Sequence, residues 1–433
     1  MESRLTSACG RFLSLLPECG LTASELAGAL SRFEIYSRDV DAAAAALPEN
    51  YELDLLGVRL LISEYLRAFC ELLSPDGPPR CEVSVPAPLF LIMALQRASA
   101  GRSRFFAGAL LLEVVLRSFF LYGLPFGTTA MHMHFCGLNR ARSQLMESDA
   151  APELLLQFGV LCDECLKCGE GAADRTHVVS VCFPKGDGPD FDKLAAGLAE
   201  DFLDRAGSAL GAVPDRSCWL EGLGTYLSLQ RVQSSLEKLN ARRDRRPLGG
   251  NSFALAQTVQ LTVFDRWDGV LRALETLAEE LENAPADDGA PRMYCFYTPF
   301  LQPWVDTLLR KDGVRLMGSA VFLHTREFRS LRPGPMTADW LRGMGVRGPA
   351  GAEAERIAQE LGRLGCCAYL TGMFGFDRWM GPASGFHTRL LAGRGIPTYS
   401  LRTDFWNEAS YRSLAELENI GEAVRSRSEL GHN

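Results

Sequence analysis

No stripe of lysine and arginine runs through this chain. Its 433 residues carry a formal net charge of −8, and the only dense basic run is Arg242-Arg243-Asp244-Arg245-Arg246. A nucleic-acid surface needs clustered cations, so that class is set aside; the short run reads as a solvated helix end, with an anion site as the alternative. No apolar run is long and clean enough to span a bilayer. The most apolar stretch, Phe105–Phe126, is interrupted by Glu113 and Arg117. No basic segment leads into an apolar stretch at the N-terminus, so no secretory leader and a cytoplasmic location are expected. No Walker motif, serine elbow or His-Glu-x-x-His occurs. Gly343-Met-Gly-Val-Arg-Gly348 spells a dinucleotide fingerprint, but Pro349 follows it and no strong strand pattern precedes it, so it is rejected.

What the chain does have is cysteine. Thirteen is many for a reducing compartment, and the odd number fits no closed disulfide framework. Cys162, Cys165 and Cys168 recur at two-residue intervals in Leu161-Cys-Asp-Glu-Cys-Leu-Lys-Cys168, and Cys136 stands upstream in Phe135-Cys-Gly-Leu-Asn-Arg140. Thiolates grouped this way in an intracellular chain hold iron–sulfur clusters or zinc more readily than they form disulfides. A zinc site would draw on Cys162, Cys165 and Cys168 with Cys182 or His177. The spacing alone also fits partly exposed helix positions, since i and i+3 share a face. Cys9, Cys19, Cys70, Cys81, Cys218 and Cys295 read as core or surface thiols. His132 and His134 alternate with methionines ahead of Cys136 and would share one face of a strand. They are candidates to stabilise an oxyanion or protonate a leaving hydroxide; a half-buried hydrogen-bonded pair is the plainer alternative.

The length calls for more than one core. Residues 1–100 read as a helical region: Thr22-Ala-Ser-Glu25 spells a capping box, and Asp54–Leu73 carries helix-spaced apolar residues. From 101 to 290 strand and helix patterns alternate. Val178–Phe183 reads as a buried strand, Phe191–Ala206 as a helix, and 219–283 as a helical extension with a stripe from Leu261 to Leu281. Glu282–Pro291 is the best linker. From 291 to 433 a second α/β block follows, with candidate strands Met293–Tyr297, Ala320–Leu323, Ala368–Leu370 and Thr398–Leu401. Together these predict an α/β fold: a helical N-terminal region, then two doubly wound parallel-sheet domains with a helical connection and a cleft between them. No repeat of short period is present, although the two blocks invite comparison as related folds.

Four stretches in order resemble the 2-hydroxyacyl-CoA dehydratase family, which includes the benzoyl-CoA reductase subunits. They are Phe135-Cys-Gly-Leu-Asn-Arg140; Leu161-Cys-Asp163 with Lys167, Glu170 and Pro184 behind it; Leu236-Glu-Lys-Leu-Asn-Ala-Arg242; and Gly395-Ile-Pro leading to Leu401-Arg-Thr-Asp404. They cover roughly 101–425. The resemblance implies a subunit of an oxygen-sensitive, anaerobic dehydratase-like lyase or a reductase. It implies a [4Fe–4S] cluster that delivers one electron to a CoA thioester, giving a ketyl radical that expels hydroxide. It also implies a related subunit as dimer partner, an ATP-dependent iron–sulfur activator protein and an acyl-CoA substrate, with no role for nucleic acid or membrane. Cys136 and Cys162 match the family's first two cluster cysteines. Its third comes from the turn after a strand like Ala368–Leu370, where this chain has Thr371-Gly-Met-Phe-Gly-Phe-Asp-Arg-Trp379. Cys165 or Cys168, or an oxygen of Asp377, would have to fill that place, or the subunit holds no cluster. Arg140, Arg142 and Arg378 are candidates to meet the CoA phosphates, against the alternative of solvated surface charges.

Overall fold

The computed structural model describes residues 2–120, 137–160, 164–184, 188–296, 303–319, 328–344, 350–373, 380–402 and 411–431. Four helices come first: α1 (Glu2–Leu13), α2 (Ala23–Ser31), α3 (Ser37–Asn50) and α4 (Leu56–Leu73). The capping box is present. Thr22 Oγ1 accepts from the Glu25 amide at 3.2 Å, and the Thr22 amide donates back to Glu25 Oε2 at 2.7 Å. The first sheet and its helices follow: β1 (Arg80–Val83), α5 (Leu89–Ser99), β2 (Arg104–Phe106), α6 (Gly108–Leu112) running into a π-helical stretch (Glu113–Phe119), α7 (Gly137–Glu147), β3 (Leu154–Gly159), α8 (Glu164–Ala172), β4 (His177–Cys182) and α9 (Phe191–Ala209). Three helices connect onward: α10 (Arg216–Asn240), α11 (Gly250–Thr258) and α12 (Asp268–Glu282). The second sheet comprises β5 (Arg292–Phe296), α13 (Pro303–Lys311), β6 (Arg315–Ser319), α14 (Pro333–Gly343), α15 (Ala350–Leu364), β7 (Ala368–Met373), α16 (Met380–Ala392), β8 (Thr398–Arg402) and α17 (Tyr411–Gly431).

Both four-stranded sheets are fully parallel, and they share one strand order: β2-β1-β3-β4 and β6-β5-β7-β8. The register repeats as well. Arg80 pairs with Arg104 as Arg292 pairs with Arg315; the next residues, Cys81 and Met293, face Leu154 and Ala368. Three positions along, Gln157 faces Ser180 and Thr371 faces Ser400. The two blocks are thus superposable in topology and register, a relation that no sequence periodicity reveals.

The first sheet begins at Arg80, ahead of the expected boundary at 100, because β1 is central and lies in the stretch read as helical. Arg-Cys-Glu-Val carries two charges in four residues and gives no strand signal. The candidate strand at 320–323 lies outside the described residues; the strand found is β6, just before it. The N-terminal helices are not a detached region. Gly57 of α4 meets the α12 backbone so closely that a Cβ there would lie 2.6 Å from Leu277. Glu280 of α12 accepts from the amides of Leu56 and Gly57 at 2.7 and 2.9 Å, capping α4. The expected α12 stripe, Val270, Leu274, Leu277 and Leu281, is buried, in one apolar core that reaches Leu316, Leu370 and Leu401 of the second sheet. The linker is pinned too: Asp287 holds Arg292 at 2.8 Å.

Candidate functional site

Each sheet reverses its order beside its first strand, between β1 and β3 and between β5 and β7. Ligands of open parallel sheets collect outside the carboxyl ends at such a reversal. In the first sheet the helices beginning there are α7 and α8, which pack on each other. In the sequence Cys136 immediately precedes α7, and Cys162 falls between β3 and α8. Both lie outside the described residues, as do His132, His134, Asp377 and Arg378.

The described contacts bind the two helix starts together. The Cys168 thiol donates to the Asn139 carbonyl at 3.7 Å and lies 3.4 Å from the Ser143 hydroxyl. Cys168 is five residues into α8, and Asn139 is three into α7. The starts of the two helices therefore fall within roughly a turn or two of this contact. Behind it sits Arg142, only 1% exposed, donating to Asn139 Oδ1 at 2.7 Å and standing 3.7 Å from Glu82 Oε1. Glu82 of β1 accepts in turn from the amides of Gly108 and Ala109 at 2.6 and 3.3 Å, so a buried carboxylate caps α6. Burial raises the Glu82 carboxyl to about 7, against the pull of Arg142 and the two amides. Close approach is enforced by glycine: a Cβ on Gly108 would lie 2.6 Å from Glu82 Oε2, and one on Gly169 of α8 would lie 2.1 Å from Gln157 Oε1 of β3.

Two expectations change here. Arg142 was a candidate for an exposed phosphate contact; it is instead a buried structural cation whose guanidinium is turned to Glu82 and Asn139. Cys168, a candidate thiolate, is 5% exposed, with its sulfur against the Asn139 carbonyl and the Ser143 hydroxyl of α7. Its sulfur holds α8 to α7. Cys165 lies in α8, and Arg140 of α7 is half-buried. Among the described residues no group of three His, Cys, Asp or Glu side chains stands ready to hold a metal ion. Cys366 and Cys367 precede β7, at its amino end, where the Cys367 amide bonds the Arg292 carbonyl at 2.9 Å.

Sequence reasoning missed Glu82, Asn139 and Ser143. A single charged residue in a four-residue strand carries no motif, and only the fold brings it to Arg142. It also missed a buried pair in the second block: His387 Nε2 of α16 lies 2.9 Å from Glu353 Oε2 of α15. No protein-family model matches the chain, and no curated protein shows significant similarity to it. No helix among the described residues is long and apolar enough to cross a membrane.

Proposed function

We propose that the chain is a subunit of an oxygen-sensitive iron–sulfur acyl-CoA dehydratase or reductase of the 2-hydroxyacyl-CoA dehydratase type, with two doubly wound domains. The observation that carries it is the packing of α7, which follows Cys136 in the chain, on α8, which begins two residues after Cys162, beside the strand-order reversal of the first sheet. Helix starts favour negative charge and lower the pKa of nearby cysteines, which suits thiolate ligands there. Cys136 and Cys162 would hold the cluster, with Cys165 as the further thiolate; Cys168 supports them from within the helix interface. A [4Fe–4S] cluster held there supplies single electrons to a bound thioester. The protein's own part is to hold two ligand-bearing helices rigid, through Glu82, Arg142 and Asn139. His132 and His134 are proposed to deliver a proton to the leaving oxygen. A related subunit and an ATP-dependent activator are the proposed partners.

A second reading, a cluster-free partner subunit, draws on one specific feature. Three residues past the last residue of each matched strand stand Cys162 in the first block and Phe376 in the second. The second block thus offers no thiolate at the equivalent position. Iron and acid-labile sulfide analysis of anaerobically purified protein separates the readings: about four irons per chain supports the first, none supports the second, and a single zinc would replace both.

A further inference from the structure

The strand-order reversal of the second sheet, between β5 and β7, has polar chemistry of its own. Helices α15 and α16 pack on each other, and α16 packs on β7. Each helix leads into the amino end of a strand, so earlier helix residues lie nearer the carboxyl ends. Within this layer Tyr369 lies in one apolar cluster with Ile357, Leu361 and Leu391. One turn back along each helix, and two residues on along the same face of β7, the apolar side chains give way to Glu353, His387 and Thr371. All three are buried, His387 completely and Thr371 to 1% exposure. The Thr371 and Tyr369 hydroxyls are neighbours, and the Glu353 charge reaches Tyr369. His387 Nε2 lies 2.9 Å from Glu353 Oε2. Yet both ring nitrogens of His387, Glu353 Oε1 and the two hydroxyls are buried without a well-formed hydrogen bond among the described residues. Nearly all buried polar groups in folded proteins find partners. A simple ion pair would align the imidazole N–H with the carboxylate, and would still leave the hydroxyls. Adjacent ligands of an octahedral ion, each about 2.1 Å from it, stand roughly 3 Å apart and need no such alignment. The geometry points to a site for a divalent cation of the Mn²⁺ class: the Glu353 carboxylate and His387 Nε2 are ligands, and the Thr371 hydroxyl is the third.

One carboxylate, one hydroxyl and one imidazole suit Mn²⁺ better than the soft ions that thiolates select. Full burial makes the ion a clamp between α15 and α16. It draws no ligand from the first block, so it stands or falls apart from the iron–sulfur reading. The test uses the full chain, washed with chelator and titrated with MnCl2 while electron paramagnetic resonance follows free Mn²⁺. One site per chain in the micromolar range is expected, with nitrogen modulation of the bound ion's spin echo from His387. Glu353→Gln removes the charge at constant volume and should weaken binding about a hundredfold; His387→Gln should do the same and abolish the nitrogen modulation. Thr371→Val, nearly isosteric, should weaken it about tenfold. Circular dichroism shows which variants fold, and Thr371→Val keeps the test valid if the other two do not. Mn²⁺ should also raise the unfolding temperature of wild type and not that of Glu353→Gln. Absence of a site tighter than millimolar leaves an ion pair alone and overturns the inference. Affinity and nitrogen modulation unchanged in the folded variants mean an adventitious ion only, and overturn it equally.

Discussion

At the scale of single residues, Glu82 has the most to reveal. Its folded-state carboxyl sits near 7, above the ordinary 4.5. A raised acid binds its proton more tightly when folded, so its contribution to stability is full below about 4.5 and is lost as pH rises through about 7. For this buried group the loss is on the order of 3 kcal/mol. Glu82→Gln keeps a neutral group beside Arg142, as the protonated acid does, but puts an NH2 where an oxygen accepts from the Gly108 or Ala109 amide, so it should be destabilised at pH 4.5. Its deficit relative to wild type should shrink between pH 4.5 and 7; denaturant midpoints of both proteins across that range check this, and a constant deficit contradicts it. The sequence showed the cysteines because their chemistry is local and their spacing is visible. It misjudged Arg142, since burial of a charge depends on a strand and a helix far apart in the chain.

Among the elements, those with internal periodicity and caps were legible. The capping box before α2, the helices α4 and α9, and the stripe of α12 follow from spacing that a helix imposes by itself. The strand β1 was not, because its pattern is set by neighbours: Phe106 and Leu155 flank Glu82 in the sheet. Close helix–strand approach was equally hidden. Gly169 reads as an ordinary helix glycine, yet it seats α8 on Gln157, which in turn accepts from Ser180 at 2.9 Å. Gly169→Ala should therefore destabilise by about 1–3 kcal/mol through overpacking. Gly197→Ala, in the middle of α9 with open space around it, should stabilise by about 0.5–1 kcal/mol. Thermal unfolding of the two variants is the check; equal effects of one sign would refute the packing account.

For the whole molecule, two blocks of one topology joined by helices give two strand-order reversals, only one of which is followed by a cysteine three residues on. The apolar stretch from Phe105 is spent inside: Leu110, Leu111, Leu112, Val115 and Phe119 are all 4% exposed or less. Val213, Leu220 and Leu331 are about half exposed around the start of α10, where Trp219 donates to the Leu331 carbonyl at 3.0 Å. The proposed dimer should bury on the order of 2,000 Å², and Leu220→Glu with Leu331→Glu should weaken it in sedimentation; a monomer both alone and with a related subunit contradicts it. The central claim is tested most directly by iron and sulfide content after anaerobic reconstitution, comparing wild type with Cys136→Ala, Cys162→Ala and Cys168→Ala. Brown wild-type protein that bleaches in air, loss of iron in the first two variants and retention in the third are predicted. Colourless wild-type protein, or full iron in Cys136→Ala and Cys162→Ala, would contradict the account.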